Sequence, residues 1–453
     1  MTCGRAAPGS NKLAKKKAAP KGCQGNEAGL SASFILIPQG QTLLIAAMII
    51  FGCRLAFIVP TKPKKTPTFS DIPPSPVSIS DEVAKVERVK GIKVVRFDVA
   101  EPIFPPPEEA VRGTMEALAK GLYKYSSSWG VLELRRAIYN YLKIRGVSLD
   151  DEEDAKEVLV TVGGKFADFA FFSGLFRCGD SVVLVKPYWV SFKAAPLILN
   201  LKAIECWSNE PYHLDHESLK SAMDKRPKAI VVNSPSNPTG GVLNQDDLHL
   251  LRDLVVDNDL YVLSDEIDWA YIYDGNKFVS PFSIEELRGR TVISDGFSKV
   301  FGMTGWRVGF AAGPVSLLEK MHKVQEHAVS SPTTFAQYGC ISALSDCEVY
   351  IKNLVGRCDA NRKKIVDCLN SIPGLICPMP EGGFYVYPEF KDNFSKDAAT
   401  LSKRLLCDAG VSVVPGEYFG DSRRRFRICY ALEESTIDEG LRRLKTFFES
   451  LPA

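Results

Sequence analysis

The sequence is poor in histidine, with five in 453 residues, and its twelve cysteines are scattered (Cys178, Cys206, Cys340 and Cys347 among them) without CxxC or metal-ligand spacing. These absences argue against a metal centre and a disulfide framework, and reduced thiols fit a cytoplasmic protein. An excess of one charge is also missing. Lys and Arg number 56 and Asp and Glu 54, a net charge of +2, so no overall field favours nucleic acid or an anionic membrane. Any anion site must be local. Hydrophobic residues at 45% and charged residues at 24% argue against disorder and against a polytopic membrane protein. A chain this long exceeds what one hydrophobic core usually serves, so two packed domains plus an extension are expected.

Residues 1–30 contain a single acid, Glu27, and the run Lys15-Lys16-Lys17, which reads as unfolded or targeting-related. From Leu43 to Val59 the chain runs LLIAAMIIFGCRLAFIV, nearly the ~20 residues needed to cross a bilayer. Arg54 interrupts it, at roughly 2.5–3.5 kcal/mol near the centre of a spanning helix. Residues 1–69 are therefore an extension with three open readings: a membrane anchor if 43–59 is retained, an organelle-targeting presequence, or a start assigned too far upstream. It shows no helix-turn-helix pattern. The proline-rich Thr61–Pro76 stretch reads as a linker or surface arm.

Beyond it, β-branched runs recur at Val158–Val162, Ser181–Val185, Ala229–Val232, Tyr261–Leu263 and Thr291–Ile293, and helical patterns such as Val131–Leu142 and Gln245–Val256 alternate with them. That alternation predicts an α/β fold with a mostly parallel sheet flanked by helices. After Phe335 long helices and a few strands (Gly383–Tyr387, Val411–Val414, Arg425–Tyr430) predict a smaller α+β unit. Ligands of parallel sheets sit at the carboxyl ends of strands, and the residues there stand out. Gly163, Gly164 and Lys165 follow the first run and open a helix, a place where free N–H groups can meet an anion. Asn233-Ser-Pro-Ser-Asn237-Pro-Thr-Gly240 follows the third, Asp265-Glu266 the fourth, and SDGFSKVFGMTGWRVGF, with Lys299 and Arg307, the fifth. Taken singly, each is more often an ordinary turn or a solvated charge.

Together, NPTG, then Asp-Glu, then GFSK with TGWRVG, then a late arginine in FRICYA resemble the class I and II aminotransferases, fold-type I pyridoxal-phosphate enzymes, over roughly residues 70–450. The spacings fit as well: 28 residues from Asn237 to Asp265, 34 to Lys299 and 8 to Arg307. The resemblance implies an N-terminal arm and part of a small domain in 70–112, a large cofactor-binding domain in 113–334 and a small C-terminal domain in 335–453. It implies pyridoxal 5′-phosphate as cofactor, with Lys299 as its covalent anchor and proton shuttle and Asp265 holding the proton of the pyridine nitrogen. Arg307 with the Gly164 and Lys165 amides would clamp the phosphate, and Tyr125 would reach a phosphate across a homodimer interface. Trp189 would stack on the ring, Asn237 would bond its phenolic oxygen, and Arg427, next to Ala100, would bind the substrate α-carboxylate.

Two departures matter. Ala100 stands where glycine is common, and Asp268 where relatives usually carry a tyrosine that donates to the phenolate oxygen; an ionised carboxylate only accepts. Lys165 resembles the lysine that meets the distal carboxylate of acidic substrates in bacterial and archaeal aspartate aminotransferases, although Phe166 stands where glutamine is common. The expected reaction is therefore transfer between aspartate or glutamate and a 2-oxo acid such as 2-oxoglutarate. Aromatic, branched or prephenate substrates stay open, as do a C–S β-lyase on the same scaffold and a non-catalytic regulator.

Overall fold

A computed structural model of the chain describes residues 72–345 and 347–451. The readings offered for residues 1–69, including the anchor at 43–59, lie outside them. No helix among the described residues is long and apolar enough to cross a membrane.

Seven strands form the main sheet: β1 (Val158–Thr161), β2 (Ser181–Lys186), β3 (Lys202–Trp207), β4 (Ala229–Asn233), β5 (Tyr261–Asp265), β6 (Thr291–Gly296) and β7 (Gly309–Ala312). Their spatial order is β1-β7-β6-β5-β4-β2-β3. All run parallel except β7, which lies antiparallel to both β1 and β6. The five predicted strands are present with shifted ends, and β3 and β7 are additions to the reading.

Alternation along these strands fills two apolar layers. Val182, Leu184, Val231 and Leu263 pack on one face with Phe171, Phe172 and Leu317. Val183, Ile230, Val232 and Val262 pack on the other with Leu251 and Val255. Each fully buried aliphatic side chain contributes roughly 1.5–3 kcal/mol, which covers the sheet on both sides and fixes its register.

Three helices show how the sequence sets element ends. We label Glu108–Ala119 α1, Gly164–Leu175 α2 and Gln245–Asp257 α3. α3 starts at Asn244, whose side chain accepts from the Asp247 N–H while Asp247 accepts from the Asn244 N–H, a reciprocal cap. α2 instead starts after Gly163 at φ 78° with no side-chain cap, so its first-turn N–H groups are left for another acceptor.

After residue 334 the chain runs through helices Thr334–Leu344, Cys347–Asn370 and Glu434–Glu449 with short strands between them. The expected Gly383–Tyr387 strand is only Tyr385–Val386, and Val411–Val414 is broken into Val411–Ser412 and Val414–Pro415. Phe426–Cys429 pairs antiparallel with Tyr385–Val386 and with Val414–Pro415. The early strand Val95–Arg96 pairs in parallel with Val411–Ser412, and this brings Asp98, Ala100 and Glu101 to the mouth of the site.

Candidate active site

A cavity of about 420 Å³ opens where the parallel strands end, and its wall includes Ala100, Gly164, Lys165, Trp189, Asn237, Asp265, Lys299, Arg307 and Arg427. Residues up to 327 positions apart in the chain thus meet in one place. Tyr125 does not join them; the residue is 89% exposed.

The anion-binding end is built from glycines. A Cβ on Gly163 would lie 2.5 Å from Arg307 Nη2, and one on Gly309 would lie 2.4 Å from Gly164 N and 2.5 Å from Gly163 C. Bare backbone lets the open start of α2, the β7 strand and the Arg307 guanidinium close on one another. Arg307 itself sits at φ 55°, and its Nη1 donates to Thr304 O at 3.0 Å. An uncapped helix start beside a guanidinium suits a phosphate. Gly309→Ala is expected to lower stability by about 1–3 kcal/mol, because the clashing atoms are backbone and cannot swing aside. Thermal melts of the variant and wild type check this, and equal melting temperatures would reject the tight approach.

At the other end of the cavity, Asp265 closes β5. One of its carboxylate oxygens accepts from Ile267 N at 3.1 Å. Asn233, its register partner on β4, donates from Nδ2 to Asp265 O at 3.0 Å and accepts the Asn237 N–H at 2.8 Å. One side chain thus ties the Asn-Pro-Thr-Gly turn to the acidic strand end. Burial, and then the neighbouring Asp168, push the Asp265 carboxyl well above the usual range. Asp168 lies one helical turn into α2 with one oxygen unpartnered, and burial pushes it up to about 7. A carboxylate pair so placed calls for a cation between or beside them.

Lys299 follows β6. Its Nζ donates to the carbonyl of Ala100, and the Tyr271 hydroxyl donates to the Lys299 carbonyl at 3.0 Å. Burial moves the amine below its ordinary value, toward the neutral, nucleophilic form. Below these strand ends Arg145 joins Asp295 at 2.8 Å and Glu266 at 3.2 Å, all buried. Removing one member of such a network leaves uncompensated charge, so it braces the strands that carry Asp265 and Lys299.

Arg427, 1% exposed, donates from Nη1 to Asn237 Oδ1 at 2.9 Å and from Nη2 to Asp98 O at 2.6 Å, over the Tyr385 ring at 4.9 Å. Its Nε has no partner. Lys165 Nζ stands 5.4 Å from the Trp189 ring centre and makes no ion pair among the described residues. Asp268 is 1% exposed, both of its carboxylate oxygens lack a well-formed hydrogen bond, and so does the Tyr385 hydroxyl beside it.

Sequence reasoning missed Asp168, Ser298, Asp98, Glu101 and Tyr385 as cavity residues. Ser298 was visible beside Lys299. Asp168 had a weaker signal, since positions 164 and 168 share one face of a helix.

The arrangement offers a phosphate cradle, a carboxyl for a basic ring nitrogen, an amine for a carbonyl, an indole wall and a guanidinium for a carboxylate. A family model described as aminotransferase class I and II matches residues 92–444. A probable aspartate/prephenate aminotransferase of Aquifex aeolicus is 35% identical over 395 residues, 84% of this chain and 98% of that protein. An aspartate aminotransferase of Pyrococcus abyssi is 35% identical over 361 residues, 78% and 92% of the two chains. Among solved structures, the aspartate aminotransferase of Thermus thermophilus with maleate superposes with a TM-score of 0.77 at 32% identity, covering 83% of this chain and 96% of that one. That of Rhizobium meliloti gives 0.80 at 30% identity, covering 86% and 100%.

Proposed function

The chain belongs to the class I and II aminotransferases, pyridoxal 5′-phosphate enzymes, and from that premise we propose that it moves an amino group between aspartate or glutamate and a 2-oxo acid such as 2-oxoglutarate in this cavity. The observation that carries the reading is the convergence of Lys299, Asp265, Arg427 and the α2 start with Arg307 on one cavity wall.

When bound, the cofactor supplies a carbonyl that captures the amino group and a conjugated ring that accepts the electron pair left at the substrate α-carbon. In this proposal Arg307 and the Gly164 and Lys165 amides hold its phosphate, Trp189 flanks its ring and Asn237 bonds its ring oxygen. Asp265 keeps a proton on the ring nitrogen. Lys299 Nζ anchors the cofactor, then takes the α-carbon proton and returns it on the other side of the reaction, which needs an amine free of charge when it acts as base. Arg427, with Ala100 beside it, receives the substrate α-carboxylate, where its planar fork matches two oxygens. Its unpartnered Nε leaves bonding capacity there.

Lys165 supports an acidic substrate. It is a cation against an indole with no ion-pair partner among the described residues, so a distal carboxylate would complete it. A charge-assisted hydrogen bond contributes about 1.5–3 kcal/mol. Lys165→Ala is therefore expected to lower kcat/KM for L-aspartate by roughly 10–100-fold while changing that for L-alanine by less than about threefold. Equal losses on both substrates would remove Lys165 from side-chain recognition.

We also propose that 113–334 carries the cofactor while 70–112 and 335–453 close on the substrate, in a cytoplasmic homodimer. Val111, Met115 and Leu118 lie at helical spacing on α1 and are exposed, as are Tyr123 and Tyr125. An apolar stripe of that kind suits burial against a second copy, in which Tyr125 would complete the other phosphate site.

The overall reading is tested by the absorption spectrum of protein loaded with pyridoxal phosphate. L-aspartate should convert the visible band to the pyridoxamine form, and 2-oxoglutarate should restore it. Conversion only by another amino acid would keep the class and discard the substrate, whereas pyruvate and ammonia released without an acceptor would indicate a lyase.

A further inference from the structure

Arg427 lies on the strand Phe426–Cys429, and two arginines just ahead of that strand reach across to the carboxyl ends of β2 and β3. Glu210, three residues after β3, is where they meet. Its Oε1 accepts from Arg423 Nη1 at 3.2 Å and pairs with Arg425 Nη2 at 2.8 Å, although Glu210 and Arg423 stand 213 positions apart in the chain. Arg425 Nη1 also donates to the Tyr212 hydroxyl at 2.9 Å. The Arg423 guanidinium lies 4.4 Å from the centre of the Trp207 ring, which Lys186 Nζ, at the end of β2, approaches at 4.1 Å.

Each arginine is held on its own side as well. Arg423 Nε and Nη2 each donate at 2.9 Å to the fully buried Asp421, and Arg425 Nε and Nη2 donate to Glu389 Oε2 at 3.0 and 2.7 Å. A rigid planar fork with five donors is suited to bridging two partners in this way. Two further observations mark the contact as more than an incidental surface pairing. Tyr212 sits at φ 98°, a rare backbone state for an aromatic residue that persists only where its surroundings over-determine it; here Arg425 holds its hydroxyl and the Asn209 carbonyl accepts its N–H at 2.6 Å. Just ahead of the arginines, Phe419 O accepts the Tyr188 N–H at 3.2 Å, and a Cβ on Gly420 would lie 2.7 Å from the Tyr188 hydroxyl. The segment is thus pressed against the neighbour of Trp189.

We propose that Glu210 is a positioning residue for substrate binding: by gripping Arg423 and Arg425 it fixes the strand that carries Arg427 against the wall that carries Trp189, and so sets where the substrate α-carboxylate is received. Glu210 does not line the cavity and acts through the two arginines. The inference rests on the reading of Arg427 as the seat of that carboxylate. Loss of the Glu210 charge has two effects of opposite sign. A carboxylate near an anion site repels the anion, so its field alone would make binding tighter on removal, whereas loss of the grip makes binding weaker.

Succinate carries two carboxylates and neither an amino nor a keto group, so it binds without reacting, and calorimetry on the cofactor-loaded chain reads its affinity. Glu210→Gln should weaken it about three- to fivefold, the upper range for half-exposed ion pairs. The KM values for L-aspartate and 2-oxoglutarate should rise by about the same factor with kcat within about twofold, the pattern of a binding contact made equally before and during the reaction. Added salt should erode the wild-type affinity more steeply than that of the variant, because it screens the grip as well as the ligand. Glu210→Asp, which keeps the charge on a shorter stem, should fall between the two. Succinate affinity unchanged or tightened in Glu210→Gln, with or without a lower melting temperature, would overturn the proposal. Arg427→Ala separates the two readings: succinate bound as well as by the wild type would sink the carboxylate reading of Arg427. The grip is then judged in the cofactor-free chain by acrylamide quenching of Trp207, taken as wild type less Trp207→Phe. Glu210→Gln should raise that quenching, and an unchanged value would overturn the role of Glu210.

Discussion

Lys299→Ala is expected to lower kcat for transamination by at least about 10³-fold, the largest single loss in the chain. Positioned proton transfer alone is worth roughly 10²–10⁴-fold, and the alanine also removes the only lysine that follows β6 into the cavity. The fold should survive. The Lys299 carbonyl, which the Tyr271 hydroxyl holds at 3.0 Å, is backbone and is unchanged by the substitution, and the amine's one hydrogen bond is to a neutral carbonyl. Borohydride reduction should leave the cofactor on the Lys299 peptide of the wild type and on no peptide of the variant. A small amine such as methylamine should restore part of the rate by entering the space that the side chain leaves. A variant retaining more than about a tenth of wild-type kcat would remove Lys299 from its place in the reaction.

The features read from sequence and those missed differ in physical kind. Asp265 and the Asn237 turn were legible because parallel strands announce themselves by unbroken β-branched runs, and the residues that follow such runs face the ligand crevice. β3, Lys202–Trp207, was missed because it is an edge strand that pairs only with β2, so its polar Lys202 and Glu205 break the apolar pattern. β7 was missed because it reads Gly309-Phe-Ala-Ala, with little β propensity. Its small residues serve the close approach of Gly309 to the start of α2, which is a tertiary demand. Arg145 could not be found at all. It follows a helix like any surface arginine, and only the folded chain brings it to Asp295, 150 positions away. Asp268 was visible as an oddity, but which groups surround it depends on Arg427 and Tyr385, more than a hundred residues downstream.

Asp265→Asn is expected to cost about 10²–10³-fold in kcat, the range seen when one preorganised electrostatic group is removed from a reaction centre. The amide keeps the size of the side chain and an oxygen able to accept the Ile267 N–H now met at 3.1 Å, so the strand end should hold its shape. It cannot carry negative charge, however. A carboxylate about 3 Å from a ring cation has a gross attraction of roughly 5 kcal/mol at an effective dielectric of 20, and a net fraction of that accounts for the expected loss. In the cofactor-free chain, burial and Asp168 push the Asp265 carboxyl well above its usual range, and a ring cation beside it would favour the ionised form. The variant should therefore bind the cofactor with its ring nitrogen unprotonated, a state that nitrogen NMR of ¹⁵N-labelled cofactor distinguishes directly. Cleavage of the α-carbon–hydrogen bond should become the slowest step, and the kinetic isotope effect with 2-deuterated L-aspartate should rise. A protonated ring nitrogen in Asp265→Asn, with kcat within tenfold of wild type, would assign the role to Asp168, another buried carboxylate of the cavity and the charge that acts most on Asp265.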